Sequence, residues 1–232
     1  MEMKAFVFSQ RGQVRPAALG KDDPMKAVNH FALRRLTAEE VALFTMDLCN
    51  NQVDRHFSRF PEKELERING LTPGRPLMER HDLAGSLPRG TFFRSRLHRD
   101  GDYLSVRPEV YVLRSEQNKD FILNIEGGVY RETSIAFSFR LPECSVCGRD
   151  LRRCSHVPGR SYGDKQCHFI MRDVLEVLEG SVVPAGSQGT RFVAQERGQK
   201  GAGLLEPMEA LCAAREAYHQ PITVTGTTWA LE

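Results

Sequence analysis

The sequence predicts an α+β domain, in which a small β-barrel or a strongly curved antiparallel sheet is flanked by helices. β-Forming residues dominate residues 76–113, where Asp100-Gly101 separates two apolar runs in the manner of a hairpin turn. Residues 133–139 place an apolar side chain at every second position, and residues 169–183 are again rich in β-formers. Because the helical patterns are short and mostly flank these strands, we expect helices to pack outside the sheet.

Short segments elsewhere carry helix signals. Thr37 and Glu40 form a capping-box pattern, and apolar residues follow at helical spacing. Pro61 stands at the first turn of a second helical pattern, and Gly127-Gly128 ends a third. We predict helices over 37–49, 61–68, 118–128 and 204–218, a strand over 3–8 and irregular chain over 12–30.

The composition limits which partners the sequence favours. The 232 residues include 32 Lys and Arg against 30 Asp and Glu, a net charge of +2, so we expect neither nucleic acid nor an anionic membrane as the main partner. No apolar run approaches the roughly 18–20 residues that span a bilayer. The N-terminus lacks an apolar signal segment with a cleavage site. We therefore expect a protein of the cytoplasm, where six cysteines do not form a disulfide framework.

Four of the six cysteines lie in one short, polar insertion. The pattern Cys144-x2-Cys147-x6-Cys154-x-His156 places four ligands for a soft metal within 13 residues. A Cys-x2-Cys turn brings two thiolates to one ion, and Cys3His is a common structural zinc set. Cys167 is an alternative to His156 as the fourth ligand. We therefore predict a structural zinc ion that orders this loop, against the simpler reading of four free thiols.

One arrangement for acyl transfer can be assembled from the residues. A serine nucleophile needs a neighbouring base to accept its proton and a third group to orient that base. Ser134 lies inside a predicted strand, where the backbone can hold its hydroxyl rigidly, and His81 lies beside Asp82 at the end of a short apolar run. Each signal is weak alone, because serines in strands and histidines beside aspartates are more often structural.

Four motifs follow one another along the chain. They are Asp54-Arg-His-Phe-Ser-Arg-Phe60 with Gly74-Arg-Pro-Leu-Met-Glu-Arg-His81-Asp82, then Leu87-Pro-Arg-Gly90, then Ile125-Glu-Gly-Gly128-Val-Tyr-Arg-Glu-Thr-Ser134-Ile-Ala-Phe137, and finally Leu178-Glu179-Gly-Ser181-Val-Val183-Pro-Ala185. In this order, the motifs resemble those of the prohead serine proteases of tailed bacteriophages. The chain departs from that pattern at Ala136, where the family more often has glycine.

The resemblance implies both a fold and a site. The fold would be that of the herpesvirus assembly proteases, a β-barrel ringed by helices. Ser134 would be the nucleophile, His81 the general base, and Glu179 the carboxylate that orients His81. Other carboxylates that compete for this role are Asp82, Asp173 and Glu176. No motif identifies the oxyanion hole, for which the backbone N–H groups near Gly127-Gly128 or Arg107 are candidates.

These expectations define a serine endopeptidase that cleaves the scaffold and capsid proteins of a bacteriophage, and itself, during prohead maturation. It would act in the host cytoplasm within the assembling prohead, without a membrane, and a homodimer is one oligomeric state that the sequence allows. Residues 1–193 would form the protease-like domain with the zinc loop 142–168 inserted, and residues 194–232 a linker and C-terminal helix. The alternative is a non-enzymatic, zinc-containing structural or nucleic-acid-binding protein of the virus particle. A metallohydrolase is disfavoured, because no His-Glu-x-x-His pattern is present.

Overall fold

The computed structural model describes residues 12–16, 23–82 and 85–187. The strand predicted at 3–8, the helix predicted at 204–218 and the domain boundary predicted after residue 193 lie outside the described residues. Within them, the fold is α+β, as the sequence predicts. Strands hold more of the described residues than helices do, and the helices are short.

Eleven strands and three helices occur in the described ranges. The strands are β1 (Gly12–Pro16), β2 (Val41–Met46), β3 (Cys49–Asn50), β4 (Ser58–Arg59), β5 (Pro76–Glu79), β6 (Gly90–Asp100), β7 (Tyr103–Leu113), β8 (Glu132–Cys144), β9 (Ser161–Tyr162), β10 (Lys165–Gln166) and β11 (Phe169–Val183). The helices are α1 (Pro24–Phe31), α2 (Glu62–Leu71) and α3 (Lys119–Glu126). None of these three helices has the length and apolar character needed to cross a membrane.

The main sheet is mixed. Its strands follow one another in the order β2, β1, β8, β11, β5, β6, β7 and β3, and β4 pairs with β11 beside this path. β7 also pairs with β2, so that seven strands form a cycle of hydrogen-bonded neighbours. The prediction of a small barrel or a curved antiparallel sheet did not include parallel pairs, but β4 and β5 run parallel to β11.

The two longest strands are β8 and β11, which pair antiparallel over their whole length. Ile135 and Phe137 of β8 pack with Val177 of β11 in the apolar core beneath helix α2. Since side chains alternate between the two faces of a strand, Ser134 and Ala136 lie on the opposite face, where both are buried as well.

The segment predicted as a helix at 37–49 is a strand, and that prediction is wrong. The capping box of Thr37 and Glu40 exists, but it caps only the single 3-10 turn Ala38–Glu40 before β2 begins. Ala42 and Phe44 point into the core, whereas Val41 packs on the other side, in the cluster that includes residues of α1. Because both faces of β2 are covered by apolar groups, its sequence lacks the alternation typical of a half-exposed strand.

The prediction of irregular chain over 12–30 is also wrong, because the segment holds β1 and most of α1. Asp23 is the N-cap of α1, and its side chain accepts a hydrogen bond from the Met25 N–H at 2.9 Å. Pro24 occupies the first helical position, where no backbone N–H is needed. This Asp-Pro pair was the signal available in the sequence. The helices predicted near 61–68 and 118–128 are confirmed as α2 and α3.

Gly180 of β11 lies at a close approach within the core, and replacing it should destabilise the fold. A Cβ atom there would lie 2.6 Å from Phe92 Cζ and 2.9 Å from Leu48 Cδ1. We expect Gly180→Ala to lower the free energy of unfolding by about 1–3 kcal/mol in urea denaturation, because the core must shift to admit the methyl group. Gly70→Ala is the control, since a Cβ on this α2 residue meets nothing within 4 Å. An equal loss in both variants would contradict the prediction.

Candidate active site and metal centre

The end of β5 turns sharply and presents His81 to strand β11. Arg80 adopts φ = 70°, a left-handed conformation that costs a non-glycine residue roughly 1–2 kcal/mol. The Arg80 N–H donates to the Val182 carbonyl at 3.0 Å, and the Ser181 hydroxyl lies within hydrogen-bonding distance of the Arg80 carbonyl, at 2.8 Å. The strained turn is therefore held in place by β11.

His81 contacts Glu179, which is fully buried on β11. The contact joins Nδ1 of the imidazole to Oε1 of the carboxyl group. The His81 side chain is 26 % exposed, so the pair lies at the edge of the buried region. With Nδ1 bound to the carboxyl group, Nε2 is the nitrogen that can exchange a proton with another group.

The second oxygen of Glu179 contacts Ser181. Oε2 lies 2.5 Å from the Ser181 hydroxyl, which is also fully buried. Both carboxyl oxygens of Glu179 are therefore in hydrogen-bonding contact, as a buried carboxyl group requires. Sequence reasoning missed Ser181, although it stands inside one of the motifs that drew attention to Glu179.

Ser134 lies directly opposite Ser181 in the β8–β11 pair. Opposite residues of an antiparallel pair have Cβ atoms roughly 4.5–5.5 Å apart on the same face, so Ser134 is a close neighbour of the group around Glu179. Its hydroxyl is buried and has no hydrogen-bond partner within the described part of the chain. The structure thus brings His81 and Glu179 together with Ser134 nearby, but no hydrogen bond joins Ser134 to His81.

The competing carboxylates are engaged elsewhere. Asp82 accepts a hydrogen bond within its own turn, from the Gly85 N–H at 2.7 Å. Glu176 lies 3.1 Å from the Ser138 hydroxyl, farther along the β8–β11 pair. Asp173 occupies a left-handed position in β11, with φ = 57°. Among the candidates, Glu179 is the carboxylate recorded in contact with the imidazole.

The proposed oxyanion donors do not fit this site. The N–H groups of Gly127 and Gly128 already donate to carbonyls of α3, at 2.8 and 3.0 Å. Arg107 lies on β7, which β5 and β6 separate from β11, so its backbone N–H lies away from the group around Glu179. The expectation that either region supplies the oxyanion hole is not supported.

Two clefts, which sequence reasoning did not find, border the candidate site. One has a volume of about 400 Å³ and lies against the ends of β5 and β11 and the start of β8. The other, of about 760 Å³, lies between the loop before β6 and the end of β7. Glu79 and Arg80, just before His81 in the chain, line both.

The Cys/His pattern converges in space at the opposite end of β8. The ligand atoms of Cys144, Cys147, Cys154 and His156 all lie within 4.8 Å of one another, so the group could hold a metal ion such as zinc. Gly148 closes the Cys-x2-Cys turn, with φ = 70° and its N–H donating to the Cys144 carbonyl at 2.8 Å. Only a glycine adopts this conformation without strain.

His156 has the environment of a ligand. Its Nδ1 is buried and has no hydrogen-bond partner within the residues the structure describes. Its ring packs edge-on against Tyr162 at 4.5 Å, and the Tyr162 hydroxyl accepts the Val157 N–H at 3.0 Å. A buried, unpartnered imidazole nitrogen beside three thiols is what a bound metal ion would satisfy.

Cys167 lies beside this cluster and keeps the alternative open. Its Sγ is 4.0 Å from that of Cys144, and burial, with the neighbouring Cys144 thiol, raises the pKa of Cys167 to about 11. The Arg149 backbone N–H, which donates to Cys147, is the main cause that lowers the pKa of Cys147 to about 6. The two thiols thus differ strongly in their readiness to become thiolates.

Comparison of the chain with protein-family models, with curated protein sequences and with solved structures finds no match. The resemblance to prohead proteases therefore stays a prediction. What the chain can do chemically has to be argued from the two groups of side chains described above.

The metal centre should bind Co²⁺ with a tetrahedral thiolate spectrum. Four converging ligands, three of them sulfur, predict d–d and sulfur-to-metal charge-transfer absorption when Co²⁺ is added to metal-free protein. Cys147→Ser should weaken both bands, because it removes a thiolate. Cys49→Ala is the control, since Cys49 lies in the apolar core away from the cluster. No cobalt spectrum in the unsubstituted protein would contradict the prediction.

Proposed function

We propose that this protein is a serine endopeptidase in which Ser134 is the nucleophile, His81 the general base and Glu179 the carboxylate that orients His81. The observation that carries the proposal is the contact between His81 Nδ1 and the fully buried Glu179, on the same sheet face as Ser134. A buried serine hydroxyl without a partner costs roughly 1–3 kcal/mol, and a catalytic role is one reason for a protein to keep it.

The arrangement supports acyl transfer. Glu179 holds the imidazole with its proton on Nδ1, so that Nε2 can accept the Ser134 proton as Oγ attacks a peptide carbonyl. The protonated His81 then gives this proton to the leaving amine, and the C–N bond breaks. Water attacks the resulting acyl-enzyme by the same route, which releases the acid and restores Ser134. Because Ser134 is fully buried, this mechanism requires a local rearrangement that exposes its hydroxyl to the substrate.

The surroundings of the site agree with a peptide substrate. The cycle of seven paired strands agrees with a small β-barrel, which is the fold the resemblance implies. The two clefts that meet at Glu79 and Arg80, the residues just before His81 in the chain, offer room for a substrate near the site. We infer that the substrates are scaffold and capsid proteins, and the chain itself, cleaved in the host cytoplasm within an assembling prohead.

We further propose that the Cys/His group holds one structural zinc ion. Cys144, Cys147, Cys154 and His156 would complete a tetrahedral set and leave no position for a substrate. The ion would supply a cross-link that joins the end of β8 to the polar loop before β11. Such a loop buries little apolar surface of its own, so metal binding would offset its ordering entropy.

The complete burial of Ser134 favours a second candidate function. In this alternative, the protein is a zinc-containing structural or nucleic-acid-binding component of the virus particle, and the group around Glu179 only stabilises the fold. The two candidates differ in whether the Ser134 hydroxyl forms a covalent bond with a substrate.

Removing either member of the Ser134–His81 pair should abolish cleavage. We expect Ser134→Ala and His81→Ala each to lower kcat by about 10³- to 10⁶-fold, and the double variant to be little worse, because the two groups act as one unit. The assay is co-expression with the scaffold and capsid proteins, followed by mass mapping of new termini and by labelling with a fluorophosphonate. Ser138→Ala is the control, since Ser138 lies on the same strand but contacts Glu176. Normal processing by Ser134→Ala would exclude the protease assignment to this residue.

Elemental analysis should find about one zinc ion per chain in protein purified without chelator. Substituting His156 should distinguish the two candidates for the fourth ligand. If His156 is that ligand, His156→Ala lowers zinc affinity whereas Cys167→Ser retains it, because Cys167 then lies outside the coordination sphere. The opposite pattern would assign Cys167. Metal-free protein with the loop still ordered would contradict the zinc proposal itself.

A further inference from the structure

The hydroxyl of Ser181 contacts two groups that lie next to His81. Its hydroxyl lies 2.5 Å from Glu179 Oε2 and 2.8 Å from the Arg80 carbonyl, and the residue is fully buried. It therefore touches both groups that determine where His81 sits. One is the carboxyl group that contacts the imidazole, and the other is the strained turn that precedes it.

The chemistry of the hydroxyl suits this position. Its single proton can be donated to the carboxyl oxygen or to the carbonyl, while its oxygen remains an acceptor. A carboxyl group held at only one oxygen could rotate about its last bond. With Oε1 against His81 and Oε2 against Ser181, the plane of the Glu179 carboxyl group is fixed.

We propose that Ser181 is a positioning residue, which acts through Glu179 and the Arg80 turn to hold His81 in the tautomer and orientation that catalysis needs. This inference rests on the proposed function, since it assigns Ser181 a part in the same site. In this role Ser181 acts through Glu179 and the Arg80 turn, and not directly on the substrate. Its replacement should therefore change kcat and the tautomer of His81, with little change in KM.

The strand pair supplies a matched control. Ser138 and Glu176 form a second Ser–Glu contact across β8 and β11, at 3.1 Å, in which the serine is buried and the glutamate is exposed. Ser138→Ala removes a serine hydroxyl from a glutamate without touching Glu179 or His81. Comparing it with Ser181→Ala separates the loss of any Ser–Glu hydrogen bond from the loss of the one beside His81.

The experiment measures two quantities for Ser181→Ala, Ser181→Thr and Ser138→Ala in the full chain. The first is kcat and KM on a peptide that contains a mapped cleavage site. The second is the ¹⁵N spectrum of the His81 imidazole, which reports the share of molecules with the proton on Nδ1 and needs no activity. We expect Ser181→Ala to lower kcat about 10- to 100-fold, the usual scale for a residue that orients a functional group. The Nδ1-protonated share should fall as well, whereas Ser181→Thr, which keeps the hydroxyl, should restore both, and Ser138→Ala should change neither.

The outcomes separate this inference from the proposed function. If Ser181→Ala unfolds more readily but keeps the kcat and the His81 spectrum of the unsubstituted protein, Ser181 is only structural and the inference is wrong. If Ser134→Ala still cleaves, the proposed function fails, and the ¹⁵N spectra still decide whether Ser181 positions His81. If fluorophosphonate labelling is lost in Ser181→Ala but kept in Ser134→Ala, Ser181 is itself the nucleophile, which overturns both.

Discussion

The parallel pairing of β5 with β11 is the constraint on which the candidate active site depends. It aligns Met78 with Ser181 and Glu79 with Val182, although about a hundred residues separate the two strands along the chain. Only this register carries the end of β5 past the buried carboxyl group of Glu179. The left-handed turn at Arg80 then places His81 against it, and Val182 and Ser181 of β11 provide the polar contacts that hold the turn. A one-residue slip of β5 against β11 would exchange the faces of Leu77 and Met78 and displace His81, which would leave the carboxyl group without that partner.

The polar side chains around Glu179 contribute to the stability of the fold and also form the candidate catalytic group. A carboxyl group that is buried away from water needs hydrogen-bond partners in the protein. His81 and Ser181 supply these partners to Glu179, so the three side chains stabilise one another. Ser134 is the exception, because its buried hydroxyl is left without a partner in the described chain. A protein selected for stability alone would fill that position with an apolar residue of similar size, such as the Ala136 two residues along the same face.

The candidate metal centre lies at the far end of the same strand pair. Ten residues of β8 separate Ser134 from Cys144, which at strand geometry is roughly 33 Å. A metal ion there would be too far away to take part in the chemistry at His81. It would instead cross-link the connection between β8 and β11 where β8 ends. Closing this connection would favour the register that sets Ser134 opposite Ser181, so a distant cross-link would still support the site.

The sequence alone determined the features that depend on neighbouring residues. These are the Asp100-Gly101 hairpin, the alternation of apolar side chains around Ile135 and the Cys/His spacing of the metal loop. Each of these patterns is legible locally, because turn chemistry, strand periodicity and chelate spacing all act over a few residues. Tertiary structure decided the rest. Residues 41–46 became a strand because both of their faces are covered, which no local pattern records. The resemblance pointed to Glu179, but its contact with His81 and the part played by Ser181 depend on the register of two strands that are distant in sequence. That register is set by packing on both sides of the sheet, as at Gly180 beneath Phe92, and packing is a property of the folded chain.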